Sequence, residues 1–479
     1  MTDNSDPFDY EPLTHHRRRS ATFVDEIDNG FAKPASWGSD EPTSRAPELA
    51  KPAPEIPLNT LTETLPQPAP SSTTVTPAPQ VSILKTGHAL SYAGVFLFSL
   101  MLYFRPYEWS SSLEWLSTSA FWIAVATVVV FVPSQLGLEG NLTIRTTEVT
   151  SVLVLLLFAV LSIPLSLSPT AGLTSLPDFA KVVLIFIVMV NVVRTESRLK
   201  GLLLLTFVAS VVLSIGALND YLAGNLSLRG TRISGSLGGI FSNPNDLALH
   251  LVTMTPLAVA LFLGTSNPFK KLFCGAAAVV FVVGIVATFS RGGVLGLTAA
   301  GLVMAVKYAR RMRLIVLMGV VVLMLGAFAV APGAFKERLL TTGDASAVSR
   351  TDDLKRSIFL AVRHPLLGVG FGNYVFYSNQ AKATHNAYTQ VASEMGLIAA
   401  AFYVLFLVAP LKPLLRIEQE TREDRKKKST YYLSIGLQAA LIGYMVSSFF
   451  ASVPYLWYAY YLVAYSIGLR RIYDGAKTT

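Results

Sequence analysis

Ala383-Thr-His-Asn-Ala-Tyr-Thr-Gln-Val-Ala-Ser-Glu-Met-Gly396 closes the one long polar segment that interrupts an otherwise apolar chain. That segment, Ala331–Gly396, carries Lys336, Arg338, Arg350, Asp352, Asp353, Lys355, Arg356, Arg363, His364 and His385. A loop this long inside a compact array is either functional or unstructured. Its apolar, glycine-rich second half, Pro365-Leu-Leu-Gly-Val-Gly-Phe-Gly-Asn-Tyr374, argues for order. Outward from it, the 479 residues are 52% hydrophobic and only 14% charged, against about 25% charged in soluble domains. The chain therefore reads as an all-α polytopic membrane protein.

A span needs roughly 20 apolar residues, and about twelve runs qualify. They lie near 88–104, 119–135, 149–167, 178–195, 200–222, 246–263, 272–289, 293–309, 313–331, 390–410, 431–449 and 453–470. Residues 1–84 differ, with Pro-Ala-Pro repeats, scattered acids and the cluster His15-His-Arg-Arg-Arg19. Such a segment cannot bury enough apolar surface to offset its ordering entropy, so a disordered Pro-rich tail is expected over 1–84 and a transmembrane domain over 85–479. The first apolar run begins only near residue 88, so no cleavable signal peptide is expected. The single cysteine, Cys274, excludes a disulfide framework.

A net charge of +9 would suggest nucleic acid in a soluble protein, but here the basic residues sit between apolar runs. Alternate connections carry Arg194, Arg198 and Lys200; Lys270 and Lys271; Lys307, Arg310, Arg311 and Arg313; and the Arg422–Lys428 cluster, with Arg470 and Arg471 near the C-terminus. Lysine and arginine mark cytoplasmic loops. Both termini are then cytoplasmic, and the 332–389 loop between spans 9 and 10 is periplasmic.

With that orientation, the informative residues are charges at the outer ends. Arg229 and Arg232 precede Phe241-Ser-Asn-Pro-Asn-Asp-Leu-Ala248, and Arg291 lies in Phe289-Ser-Arg-Gly-Gly293. Asp178, Lys181, Asp246 and Glu394 lie in outer helical turns, and His385, with Asn386 beside it, precedes one. Ionisable groups at membrane depth usually face a cavity or a partner. An outer-loop arginine can also simply snorkel to headgroups. Arg291 has little room to do so in so short a turn, and its guanidinium suits phosphate oxygens. His385 carries the side chain best placed to move a proton near neutrality, although a lone histidine also serves structure. Gly368-Val-Gly-Phe-Gly372 has no βαβ unit around it, so it supplies turns and close backbone approach rather than a dinucleotide site. No ligand spacing supports a metal among His364, His385, Asp352 and Asp353.

Gly235 with Phe241–Ala248, Ser290-Arg-Gly292, Arg363-His-Pro-Leu-Leu-Gly-Val-Gly370 and Thr384-His-Asn-Ala-Tyr followed by Glu394-Met-Gly396 together resemble the O-antigen ligase and polymerase family over roughly 225–410. The resemblance implies a GT-C-like membrane glycosyltransferase. It would move a glycan from undecaprenyl pyrophosphate to an acceptor sugar at the periplasmic face of the inner membrane, without nucleotide sugar, metal or other cofactor. By motif, Arg291 matches the arginine on the donor pyrophosphate, with Arg232 or Arg229 as its companion. His385 matches the loop histidine that acts as base on the acceptor hydroxyl, with Asn386, Glu394 and Asp246 in support. A ligase acting on lipid A core in lipopolysaccharide biosynthesis, an O-antigen or exopolysaccharide polymerase, and a protein-glycosylating member share these motifs. A twelve-span transporter is the rival from another class, but transporters place their sites near the bilayer midplane, where this chain has few charges.

Overall fold

The computed structural model describes residues 88–108, 111–224, 241, 243–308, 314, 318, 345–378 and 383–477. The tail expected at 1–84, nearly all of the span expected at 313–331, and both Arg229 and Arg232 lie outside these residues. Every element among the described residues is helical. The first group is α1 (Ala89–Phe104), α2 (Ser119–Glu139), α3 (Thr147–Ser162), α4 (Pro169–Val192) and α5 (Glu196–Leu222). Then come α6 (Pro244–Gly264), α7 (Pro268–Ala287), α8 (Arg291–Lys307) and, inside the polar loop, α9 (Ala345–Arg363). The chain closes with α10 (Ala387–Val408), α11 (Leu411–Thr421), α12 (Lys428–Ser448) and α13 (Trp457–Gly475).

Side-chain caps start many of these helices. Thr146, Ser168, Thr195, Asn243, Asn267, Ser290 and Asn386 each accept a backbone N–H of the turn they open, which satisfies donors that a helix otherwise leaves orphaned. Proline at the start of α4, α6 and α7 removes one of those donors outright.

Among the described residues, eight segments are long and apolar enough to cross a membrane: α1 to α7, and α10 run together with α11. The chain is thus a polytopic membrane protein. Three more of the expected spans appear as helices outside that set. The helix α8 has only 17 residues, while α12 and α13 are rich in tyrosine and serine. Their polarity has a physical cause. A helix facing lipid must be apolar all round, whereas one surrounded by protein can pair its polar groups internally. Only 17% of the apolar window of Ser112–Glu139 is buried, against 72% of that of α6. The helices α12 and α13 share this central position, packed on α6, α8 and α4. Their hydroxyls find partners: Tyr461 with Ser99 at 2.7 Å, Tyr444 with Tyr403 at 3.2 Å, and Tyr460 donating to the Pro454 carbonyl at 3.1 Å.

Cations assigned to one side of the membrane by sequence do gather at one end. Arg194 and Arg471 both reach Glu139, at 2.6 and 3.8 Å, Arg470 meets Glu148 at 3.3 Å, and Lys307 meets Glu418 at 2.6 Å. We refer to this as the basic end.

At the other end the polar loop is locked into the bundle by a break in α10. Gly396 leaves helical geometry with φ 90° and ψ 172°. The carbonyls of Ser393 and Glu394 then accept from the N–H groups of Val369 and Gly370, at 2.8 and 3.0 Å, and the Leu397 N–H donates to Pro365 at 2.8 Å. The glycine-rich run therefore supplies close backbone approach: a Cβ on Gly368 would overlap the Glu394 backbone, and one on Gly396 the Leu366 carbonyl. Beyond the break, the Phe371 N–H donates to Ser162 at 3.0 Å, and Asn373 brackets the backbone of Ser168. Leu360, Val369 and Tyr374 pack α9 onto this platform. Because Gly396 combines positive φ with no room for a side chain, Gly396→Ala should cost on the order of 1–3 kcal/mol. Thermal melting in detergent measures it, and a variant as stable as the parent would show that the break tolerates a side chain.

Candidate active site

Among the helices that begin at the loop end are α6, α8 and α10. Their N-termini converge around the connection between α12 and α13, residues 449–456. A helix N-terminus carries partial positive charge and presents N–H groups, so their convergence creates a region suited to an anion.

Arg291 is the first residue of α8, placed after a left-handed turn at Phe289 (φ 49°) and the capping Ser290. Ser290 ties two of the three N-termini together: its hydroxyl donates to Asn245 of α6 at 3.0 Å and accepts the Gly293 N–H at 3.2 Å. The glycines after Arg291 let α8 approach its neighbours. A Cβ on Gly292 would lie 2.9 Å from Phe450, and one on Gly293 2.7 Å from Ala248. The Gly292 carbonyl in turn accepts from Ser447 at 3.1 Å. Arg291 is half-buried at the mouth of this junction.

His385 leans on the same connection. Its N–H donates to Ser452 Oγ at 2.8 Å, and the neighbouring Thr384 hydroxyl lies 3.5 Å from that oxygen. Thr384 also grips the backbone of Asn386 in both directions, at 2.8 and 3.2 Å. His385 itself adopts left-handed geometry, φ 54°. Such conformations in non-glycine residues persist only where the surroundings hold them, and they cluster at functional sites. The end of α12 and the connection after it thus brace the Arg291–Gly292 turn from one side, through Ser447 and Phe450, and His385 from the other, through Ser452.

The remaining expected site residues separate into roles. Asn386 is the cap of α10, accepting from Tyr388 and Thr389 at 2.9 and 3.0 Å. Glu394 is buried; it accepts from Tyr455 at 2.8 Å and from the backbone of Gly372 and Tyr374. It holds the glycine-rich loop against α10, a positioning task. Asp246 lies half-buried in the first turn of α6, beside Asn245. Asp178 and Lys181 pair with each other at 2.6 Å on an exposed face of α4 and stand apart from this cluster. His364 and Asp352 line a separate cavity of about 790 Å³ with Lys355, Arg356, Arg363 and Tyr377. On the wall of the loop, Tyr374 donates to the Asp353 carbonyl at 3.0 Å. Burial, with the Asp353 charge nearby, pushes its hydroxyl up to about 12, so it stays a donor at neutral pH.

Residues 276–404 match a family model described as O-antigen ligase. The chain carries an O-antigen ligase domain. That domain runs from within α7 through most of α10 and includes Arg291, the α9 loop, His385 and the break at Gly396. It makes the protein a membrane glycan enzyme of the O-antigen ligase and polymerase kind. No curated protein matches the chain. The α12–α13 connection lies beyond the matched stretch, and sequence reasoning passed over Ser447, Phe450, Ser452 and Tyr455 at the candidate site. One signal was available: by alternation of spans, the short Phe450-Ala-Ser-Val-Pro454 connection faces the same side as the long loop.

Proposed function

We propose that the protein transfers a glycan from undecaprenyl pyrophosphate to a sugar hydroxyl of lipid A core or a comparable surface acceptor, at the periplasmic face of the inner membrane. The observation that carries this reading is the shared bracing of Arg291 and His385 by one connection, amid three converging helix N-termini. In the reaction, the His385 imidazole takes the acceptor proton as the hydroxyl oxygen bonds to the anomeric carbon. The bond from that carbon to the pyrophosphate oxygen breaks, and undecaprenyl pyrophosphate leaves with the bond's electron pair. Arg291 and the helix N-termini stabilise the charge growing on the leaving group, an effect that preorganised donors supply without reorganisation. Arg232 and Arg229 would approach from the connection before α6 as the companion cations. Asp246 and Glu394 support this arrangement from α6 and α10.

The distribution of buried charge argues against a transporter. Among the described residues, the buried Glu148, Arg198, Asp220 and Glu394 all lie within a few turns of a helix end. A transporter would need them near the midplane. The deciding experiment supplies a lipid-pyrophosphate glycan to the protein in nanodiscs, with either lipid A core or a second donor as acceptor. Release of undecaprenyl pyrophosphate in step with glycan on lipid A core is expected. Chain extension on the second donor would make the enzyme a polymerase, and no release with either acceptor would sink the reading.

Orientation is checked separately. Reporter fusions at residue 360 should read periplasmic and those at 424 cytoplasmic. A cytoplasmic signal at 360 would place the site on the wrong side for this chemistry.

A further inference from the structure

The basic end holds a second constructed cavity, of about 990 Å³, lined by side chains of α3, α10, α11 and α13. Four cations face it: Arg145, Lys412, Arg416 and Arg470. Arg416 pairs with Asp474, and Arg470 with Glu148, but neither carboxylate lines the cavity. Among the described residues, Arg145 and Lys412 form no ion pair. The start of α3 forms one wall through Thr146, Thr147, Thr150 and Ser151, so orphan N–H groups of its first turn lie there as well. Ser151 is fully buried, and its hydroxyl has no hydrogen-bond partner among the described residues. A buried hydroxyl left without a partner is uncommon and points to a missing ligand. The opposite wall is apolar, built from Phe402, Leu405, Pro413 and Leu415.

We propose that this cavity binds the phosphate group of an anionic membrane lipid. The cations, the α3 N-terminus and Ser151 take the phosphate, while Phe402, Leu405 and Leu415 line the acyl chain. Basic pockets between membrane helices recognise lipid headgroups in this way. The apolar wall favours a lipid over free phosphate, which would leave that surface uncovered. The helix α10 links the two regions, since it begins just after His385 and reaches the cavity with Leu405. At 1.5 Å per residue the cavity lies roughly 30 Å from the candidate active site. It belongs to the opposite membrane surface and is no part of the donor site.

The test uses the full-length protein in detergent and reads retained lipid by native mass spectrometry after addition of phosphatidylglycerol, phosphatidylcholine or inorganic phosphate. The variant is Arg145→Ala with Lys412→Ala; both side chains are exposed and outside any ion pair, so the fold should survive. The control, Arg425→Ala with Lys426→Ala, removes the same charge from a loop beyond the cavity. Near-surface basic residues act strongly enough that the cavity variant should bind phosphatidylglycerol about tenfold more weakly. The parent and the control should keep it, and phosphatidylcholine should be retained poorly by all three. Equal retention by parent and cavity variant would overturn the proposal. Equal loss from both variants would reduce it to diffuse attraction between a basic surface and acidic lipid. Displacement of the lipid by inorganic phosphate at matching concentration would make this a free-phosphate site. Because no outcome depends on glycan transfer, the result stands apart from the assignment of the enzyme.

Discussion

Replacing His385 by alanine should lower turnover by about 10²–10⁴-fold, the range that a positioned base contributes, with donor affinity and protein level close to those of the parent. The structure gives reasons for the separation. His385 is held through its backbone, by the N–H bond to Ser452 and by the two bonds between Thr384 and Asn386. Those bonds survive removal of the imidazole. The helix start survives too, because its cap is Asn386. A loss confined to kcat marks a group that acts as the transition state forms. His364→Ala is the matched comparison. It removes an imidazole from the end of α9, in a cavity lined by Lys355 and Arg363, and should leave kcat nearly unchanged. Comparable losses from both variants, or a collapse in protein level with His385→Ala, would assign the loop histidines to structure.

Arg291 allows charge and shape to be separated. Arg291→Ala should lose about 10²–10³-fold in turnover, the scale of losing one preorganised donor to a developing charge, and should weaken donor binding. Arg291→Lys keeps the charge but loses the planar two-pronged guanidinium that matches phosphate oxygens. It should therefore retain much of the donor affinity and little of the rate. The opposing view is that Arg291 only anchors the end of α8 to headgroups, a task that lysine performs equally well. Turnover and donor affinity for the three side chains in nanodiscs distinguish the two views. A lysine variant with full activity would remove Arg291 from the site. The packing beneath it should be undisturbed in both variants, since Gly292 and Gly293 make the close contacts with Phe450 and Ala248.

Much of the fold was legible because lipid imposes a simple rule on the helices that face it. The runs that became α2 and α3, the second half of α4 and α7 beyond Lys271 are almost wholly apolar and were readable from composition alone. Arg291 and His385 stood out for the opposite reason, as polar groups at outer helix ends where a membrane protein has little use for them. What escaped was the connection between α12 and α13. Its Ser452 and Tyr455 are ordinary loop residues in sequence, and their importance comes from lying between chain segments 60 or more residues away. Glu394 was legible as an unusual polar group in a supporting position; its contacts with Tyr455, Gly372 and Tyr374, which hold the loop, were not. The polarity of α12 and α13 likewise has meaning only once both are seen to be surrounded by other helices.

The interruption of α10 at Gly396 also determines which parts of this molecule can be exchanged. A loop joined to its scaffold only at its two ends could be traded between related chains as a cassette, carrying its acceptor preference with it. Here the splice would fail, because Val369 and Gly370 complete the backbone of a helix that begins only after the loop has ended. The smallest transplantable piece therefore runs from α9 past Leu397 and includes the first turns of α10. Ser162 and Ser168 of the recipient must also receive Phe371 and Asn373. Chimeras cut at residue 386 should misfold, and those cut after residue 397 should fold if the recipient offers the Ser162 hydroxyl and a free backbone at position 168. Specificity in such chains would then be inherited as a block of loop and helix together, never as a loop alone.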